Sequence, residues 1–176
     1  MMASAKPPSS RPAPEESMAS PPHLFLYVDG ASSGNPGPAG VAAILKDAEG
    51  TTLLEKARAF GPATNNVAEY QAVILGLELA AILRPKVLTI CSDSELLVRQ
   101  LAGQYKVKAP GLRPLHEQVR RLLAPFESVE IEHIPRSKNA EADQLAHKAL
   151  EKARRLDAKI PSDKQKTGHA KKFRLK

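Results

Sequence analysis

The order of its strand-like and helix-like segments restricts the fold of this chain more than any other feature. Three strand-like segments come first, and helices and two further strands follow. A strand meander followed by β-α-β crossovers produces a sheet with both antiparallel and parallel pairs, covered by helices. We therefore predict an α/β fold, a five-stranded mixed sheet with helices on both faces. The predicted strands are 24–29, 41–45, 51–60, 87–91 and 129–134, and the predicted helices are 65–83, 94–102, 113–123 and 139–155.

The helix predicted at 65–83 carries a carboxylate where an apolar residue is expected. Apolar or small residues recur at 72, 73, 76, 77 and 80, which is the spacing of one helical face, and Pro85 ends the pattern. Glu69 begins this same face. A helix gains little by directing a carboxylate at its core, so Glu69 is a candidate functional residue.

Three further carboxylates are placed where the predicted fold can bring them to Glu69. Asp29 ends the first strand and Asp93 follows the fourth, so the two are neighbours if those strands are parallel and adjacent. Asp143 lies in the first turn of the last helix. Each has a structural alternative, because aspartate also begins turns and complements a helix N-terminus.

Together, the four carboxylates require neutralisation. Two carboxylates about 5 Å apart repel by roughly 3 kcal/mol at an effective dielectric near 20. An oxygen-only set without a Cys or His pattern selects Mg²⁺ or Mn²⁺ over zinc. Two such ions about 3.5–4 Å apart can hold the attacking and leaving oxygens of a phosphodiester.

Composition divides the chain into a folded domain and two tails. Residues 1–22 are rich in Pro, Ser and Ala and are predicted to be disordered, and 23–156 form the folded domain. The formal net charge is +7, but seven of the 26 basic residues lie in 157–176, which holds only two acidic ones. This basic tail is predicted to be disordered, with loose phosphate contact as the functional alternative.

A single cysteine, Cys91, excludes an internal disulfide and favours a reducing compartment. Apolar runs are too short or too interrupted to predict a membrane span, and no secretory signal follows the first Met. We expect a cytoplasmic protein that contacts no membrane, and a monomer.

Four motifs resemble those of ribonuclease H type 1. The run Y-V-D-G-A-S-S-G-N-P-G-P-A-G at 27–40 resembles the first motif of that family, and T-N-N-V-A-E-Y at 64–70 is similar to the second. C-S-D-S at 91–94 looks like the third, and H-I-P-R-S-K-N-A-E-A-D-Q-L-A at 133–146 is similar to the fourth. The four occur in order over 24–152, which makes the resemblance specific.

The resemblance implies a ribonuclease H-like fold, with 23–156 as the catalytic domain. It implies that two Mg²⁺ ions per site, or Mn²⁺ as a substitute, bind a tetrad formed by Asp29, Glu69, Asp93 and Asp143. The implied substrate is an RNA–DNA hybrid. The implied reaction is endonucleolytic hydrolysis of its RNA strand by two-metal-ion catalysis, giving 5′-phosphate and 3′-hydroxyl ends.

The resemblance also implies substrate contacts. Gly30 and Asn35 are expected in a turn that meets the RNA strand, and Thr64 and Asn65 are expected to grip the backbone and minor groove, with Asn66 beside them. Amide and hydroxyl side chains contact 2′-hydroxyls and phosphates without requiring a base sequence. The alternative for these residues is turn and N-cap chemistry, and for Asn66 the two interpretations are evenly balanced.

The chain departs from the family pattern in the segment that corresponds to the basic protrusion, or handle, of many members. The segment Q-L-A-G-Q-Y-K-V-K at 100–108 is short and contains no Trp. We expect the handle to be absent and hybrid affinity to depend on Lys106, Lys108 or the basic tail.

A second departure concerns the catalytic-loop histidine that well-known members carry before the final aspartate. The corresponding loop, P-R-S-K-N-A-E-A, contains none, and His133 falls inside the last predicted strand, where a structural role is expected. We hypothesise that Arg136 or Lys138 takes over leaving-group or product-release work.

Two other functions are compatible with the sequence. The first is a nuclease of the same fold that acts also on double-stranded RNA. The second is a non-catalytic hybrid-binding module, although a binder has no reason to hold four converging acids. Mg²⁺-dependent cleavage separates the binder from the nucleases, and a comparison of substrates separates the two nucleases.

Overall fold

The computed structural model describes residues 19–159, and the elements follow one another in the predicted order. The strands are β1 (His23–Ser32), β2 (Gly37–Lys46), β3 (Thr52–Ala63), β4 (Val87–Ser92) and β5 (Ser128–His133). The helices are α1 (Asn65–Leu83), α2 (Glu95–Leu101), α3 (Arg113–Leu123) and α4 (Ala140–Asp157), and a short 3₁₀ helix (Arg136–Asn139) precedes α4.

The five strands form one sheet in the order β3-β2-β1-β4-β5. The pairs β1–β2 and β2–β3 are antiparallel, and β1–β4 and β4–β5 are parallel, which confirms the mixed sheet. The parallel pairing of β1 with β4 ends at the pair Tyr27 and Cys91. Asp29 and Asp93, each two residues further on, therefore meet at one edge of the sheet.

Helices cover both faces of the sheet, as predicted. Leu26 on β1 packs against Gly76 of α1, and it pairs in register with Leu45 on β2. Gly40 lies an odd number of residues before Leu45, so it faces the other side. There it meets the backbone of α4 at Ala146.

The β1–β2 hairpin is longer than predicted. The run 30–40 is rich in Gly and Pro, a composition that predicts an irregular turn, yet β1 continues to Ser32 and β2 begins at Gly37. The backbone N–H of Ser33 donates to the carbonyl of Pro38 at 2.8 Å and helps close the turn. Strand pairing therefore outweighs local propensity in this run.

Helix α1 is the central helix of the core. By length and composition alone it could cross a membrane, but 61% of its apolar window is buried inside the protein. Thr64 caps its N-terminus by accepting a hydrogen bond from the Val67 N–H at 3.2 Å. Arg84 adopts a left-handed conformation (φ 48°) at its C-terminus, directly before Pro85.

The folded unit includes residues before the predicted domain boundary at 23. The carbonyls of Pro21 and Pro22 accept hydrogen bonds from the N–H groups of Lys86 and Val87, both at 3.1 Å. At the other end, α4 extends to Asp157, one residue beyond the predicted boundary. The rest of both predicted tails, 1–18 and 160–176, lies outside the described residues.

Gly40→Ala is expected to destabilise the protein by about 1–3 kcal/mol. A Cβ at this position would lie 2.1 Å from the carbonyl oxygen of Ala146 and 2.3 Å from the nitrogen of Leu150, so α4 has to shift away from the sheet. Denaturant unfolding measures the change. Gly50→Ala does not serve as a control, because Gly50 has a φ of 84° and is strained by any side chain. Gly111→Ala is the matched control, because a Cβ on Gly111 meets no atom within 4 Å and its φ is not positive, and an equal loss in both variants would contradict the prediction.

Candidate active site

The four predicted carboxylates converge at the carboxyl ends of β1 and β4. Carboxylate oxygens of Asp29, Glu69 and Asp93 lie within 4.8 Å of one another. Asp29 belongs to a second group with the same spacing, formed with Asp143 and His147. All five side chains line one cavity of about 340 Å³. The structure thus brings together the residues that the four motifs single out.

Gly30 permits the contact between β1 and α1 that places Glu69 beside Asp29. A Cβ on Gly30 would lie 2.3 Å from the carbonyl carbon of Ala68 and 2.5 Å from the Glu69 nitrogen. The expectation that Gly30 sits in a turn is wrong, because it lies within β1 and under the first turns of α1. Its missing side chain therefore serves packing, although its backbone still lines the carboxylate cavity.

Burial and mutual repulsion disfavour the ionised forms of two of the acids. Desolvation, followed by the charges of Asp93 and Asp143, raises the pKa of Asp29 to about 7. Desolvation and the charges of Asp29 and Asp93 raise the pKa of Glu69 to about 9. A hydrogen bond from the backbone of Gly30 lowers this pKa, but by less than the other effects raise it. Without a cation, the site therefore holds protons on acids that would be ionised in water at neutral pH.

The site fits divalent cations. Oxygen Oε2 of Glu69 is buried and has no hydrogen-bond partner in the described part of the chain. Buried polar atoms are normally satisfied, so an orphaned carboxylate oxygen facing other carboxylates indicates a missing positive ligand. Carboxylate oxygens are the donors that Mg²⁺ and Mn²⁺ prefer.

Asn139 connects three elements of the site, and the sequence does not reveal this role. It stands at the N-cap position of α4, but its side chain makes no capping hydrogen bond. Its Nδ2 instead donates to the carbonyl of Val28 at 3.0 Å and to Oδ1 of Asp93 at 3.3 Å. Only 1% of Asn139 is exposed. The residue therefore ties the start of α4 to β1 and to the Asp93 carboxylate.

Asn139→Ala is expected to lower the free energy of unfolding by about 1–3 kcal/mol, because it leaves the buried Val28 carbonyl without its donor. Chemical denaturation at fixed pH provides the measurement. Ser137→Ala changes an exposed residue of the same loop and serves as the control. If the two variants were equally stable, the hydrogen bonds of Asn139 would contribute nothing measurable to the free energy of unfolding.

The two basic loop residues that were hypothesised to assist catalysis lie in different places. Nη2 of Arg136 lies 3.4 Å from Oδ1 of Asp143, and Arg136 lines the carboxylate cavity. Lys138 lines a separate, smaller cavity beside Tyr27 and Lys46. The geometry therefore retains Arg136 as a candidate and does not bring Lys138 to the carboxylates.

The predicted substrate-contacting residues cluster around the start of α1. Thr64 acts as the N-cap, which is the alternative that its sequence context left open. The backbone N–H of Asn65 donates to Oδ1 of Asn35 at 3.4 Å, so the β1–β2 turn contacts the start of α1. Asn65 lines the carboxylate cavity, and Asn35, Asn65 and Asn66 are exposed.

Two histidines lie near the carboxylates. His133 ends β5, and its Nε2 lies 3.3 Å from the backbone carbonyl of Asp93. His147 was not singled out in the sequence, yet it lies one helical turn after Asp143 and lines the cavity. The i, i+4 spacing from Asp143 is the signal that could have found it, once Asp143 was assigned to a helix.

A family model described as reverse transcriptase-like matches residues 27–149. A bifunctional protein of Mycobacterium tuberculosis is 44% identical over 131 residues, which are 74% of this chain and 36% of the relative. A ribonuclease HI of Halobacterium salinarum is 42% identical over 130 residues, covering 74% of this chain and 65% of the relative. The chain therefore spans about a third to two thirds of the length of these curated relatives.

Solved structures of ribonucleases H match over nearly their whole length. The N-terminal ribonuclease H domain of the Mycobacterium tuberculosis protein, solved as a fusion, has a TM-score of 0.74 and 40% identity over 77% of this chain and 98% of that one. Ribonuclease H1 of Halobacterium salinarum has a TM-score of 0.72 and 41% identity over 74% of this chain and 99% of that one. LC11-RNase H1, solved in complex with an RNA/DNA hybrid, has a TM-score of 0.70 and 40% identity over 74% of this chain and 98% of that one. With these matches and the converging carboxylates, the chain belongs to the ribonuclease H type 1 family.

Proposed function

We propose that this protein is an endonuclease that hydrolyses the RNA strand of RNA–DNA hybrids with two divalent ions, leaving 5′-phosphate and 3′-hydroxyl ends. The observation that carries the proposal is the convergence of four carboxylates, two of them with raised pKa values, in one open cavity. Such an arrangement is costly for a protein that does not bind cations there.

The proposed ions are Mg²⁺, two per site, with Mn²⁺ as a substitute. Asp29 belongs to both groups of ligand atoms, so it is the residue that would contact both ions. Glu69 and Asp93 would complete one position and Asp143 the other. When bound, the ions supply electrophilic stabilisation to the attacking and leaving oxygens of a phosphodiester.

Residues around the carboxylates position the substrate. Arg136 lies on the cavity wall beside Asp143, where its guanidinium can donate charge-assisted hydrogen bonds to a phosphate. Asn65 lies on the same wall, and Asn35 and Asn66 are exposed near it. Uncharged amides at this position favour recognition of 2′-hydroxyls and sugar-phosphate geometry over base sequence. The solved complex of LC11-RNase H1 with an RNA/DNA hybrid supports this choice of substrate.

Cleavage of labelled substrates tests the proposal. RNA–DNA hybrid, duplex RNA and single-stranded RNA are incubated with the protein in Mg²⁺, in Mn²⁺ and in EDTA. Cutting of the RNA strand of the hybrid alone, dependent on the cation, is the expected result. Equal cutting of duplex RNA would favour the broader nuclease, and hybrid binding without cutting by a folded sample would favour the binding module.

Single alanine variants of the two loop residues test the leaving-group hypothesis. Arg136→Ala is expected to lower turnover, because Arg136 lines the cavity, and Lys138→Ala is expected to change it less. Unchanged turnover in both variants would remove this hypothesis. Variants of Lys106 and Lys108, in the segment that connects α2 and α3, test in the same assay whether they supply hybrid affinity in place of a handle.

The cellular setting is also proposed. Cys91 is buried and free, in keeping with a reducing compartment such as the cytoplasm. We propose that the protein acts there as a monomer, without contact to a membrane. Sedimentation of the full chain and fractionation of cells test these two points.

A further inference from the structure

The second group of potential ligands differs from the first in its chemistry. Asp29, Glu69 and Asp93 offer only carboxylate oxygens, whereas the group of Asp29 and Asp143 includes a ring nitrogen of His147. In both groups the ligand atoms lie within 4.8 Å of one another. The cavity therefore presents an oxygen-only position and a mixed position that share Asp29.

The ring of His147 is oriented by the backbone of its own helix. Nδ1 lies 2.9 Å from the carbonyl oxygen of Asp143 and 3.5 Å from Oδ1 of the same residue. An N–H donated to that carbonyl leaves the lone pair on Nε2, and a ring oriented in this way by a backbone carbonyl is a usual arrangement of a metal-bound histidine.

The ring can adjust to a ligand without disturbing the core. The His147 side chain is 52% exposed, whereas Ala146 and Leu150 on the neighbouring face of α4 are buried. Helix α4 is thus fixed by packing and by Asn139, while the imidazole remains accessible from the cavity. His133 belongs to neither group of potential ligands, because its Nε2 faces the Asp93 carbonyl.

A nitrogen ligand changes which metal ion a binding position prefers. Mg²⁺ binds oxygen almost exclusively, whereas imidazole suits transition-metal ions. We propose that His147 is a ligand of the position at Asp29 and Asp143, so that this position binds Mn²⁺ or a related transition-metal ion more tightly than it binds Mg²⁺. This inference rests on the proposed metal-dependent function, and it makes the two metal positions chemically unequal.

Pulsed electron paramagnetic resonance of Mn²⁺ added to the metal-free full chain tests the proposal without catalysis. The wild-type protein is expected to show coupling between Mn²⁺ and a histidine nitrogen, and His147→Gln is expected to lose it. His133→Gln replaces the other histidine near the carboxylates and is expected to retain the coupling. In parallel titrations, His147→Gln is expected to weaken Mn²⁺ binding at this position on the order of tenfold or more, with a smaller change for Mg²⁺.

The outcomes distinguish this inference from the proposed function. Mn²⁺ binding without nitrogen coupling in the wild-type protein would overturn the role of His147 and leave a carboxylate-based nuclease intact. Coupling that persists in His147→Gln would also overturn it, because another histidine would then be the ligand. Absence of any Mn²⁺ binding by folded wild-type protein would overturn the role of His147, and hybrid cleavage in Mg²⁺ reports on the proposed function separately.

Discussion

Asp93→Asn is expected to reduce hybrid cleavage on the order of 10³-fold, roughly 4 kcal/mol of barrier, while the protein remains folded. The substitution removes a negative charge from the group formed with Asp29 and Glu69, and so weakens its hold on a cation. The fold is expected to survive because an asparagine oxygen can still accept the hydrogen bond from Nδ2 of Asn139. The expected loss of cleavage therefore comes from weaker cation binding and not from a change in the fold.

Single-turnover cleavage with saturating enzyme measures this loss separately from substrate binding. Asp157→Asn, an exposed aspartate at the end of α4, makes the same chemical change away from the cavity and is expected to keep full activity. Circular dichroism checks that both variants are folded. Wild-type turnover in folded Asp93→Asn would show that the carboxylate cluster is not the catalytic centre.

The carboxylates could be predicted because each depends on a rule that the sequence exposes. Glu69 interrupts an apolar stripe of helical period, and that stripe is buried as expected. Asp29 and Asp93 were predicted at the ends of two strands; β1 continues to Ser32, but the two strands are parallel and adjacent, and both aspartates lie two residues beyond the last pair of their ladder. Periodicity and topology thus identify these acids, and the adjacency of β1 and β4 in the sheet brings them together.

The roles of Asn139 and Gly30 could not be assigned in the same way. The partners of Asn139 are 111 and 46 residues away in sequence, and its local context resembles an ordinary N-cap. Gly30 looked like a turn residue because glycine is common in turns, while the close approach of α1 that requires it is a tertiary contact. Side chains whose role depends on a distant neighbour leave no local pattern.

The stability of the metal-free protein is expected to fall as the pH rises, and Glu69→Gln is expected to remove much of this fall. The pKa of Glu69 is about 9 in the folded protein and 4.5 in a free side chain. Between these values the unfolded chain has lost a proton that the folded protein keeps. Folding therefore binds a proton, and each pH unit costs up to about 1.4 kcal/mol of stability.

The window from about pH 7 to pH 9 isolates Glu69. The pKa of Asp29 is raised from 3.8 to about 7, so Asp29 also makes the stability fall as the pH rises, but it does so below that window. Buried Cys91 and Tyr70 have pKa values raised to about 12, so their contributions begin near the ordinary values of 9.0 and 10.0. The wild-type protein is thus expected to lose roughly 2–3 kcal/mol across the window, and Glu69→Gln considerably less.

Urea denaturation in EDTA at several pH values measures these slopes. Glu78→Gln lies on the exposed face of the same helix and is expected to keep the wild-type slope. Adding Mg²⁺ is expected to flatten the wild-type slope, because a cation bound by the ionised carboxylates replaces the proton and stabilises the fold by about 2.7 kcal/mol at a hundred times its Kd. Glu69→Gln is expected to gain less from Mg²⁺, since it lacks one of the ligands. Identical slopes in the wild type and Glu69→Gln would mean that this carboxyl group is ionised in the folded protein without any cation, so the carboxylate cluster would not require a metal ion for its neutralisation.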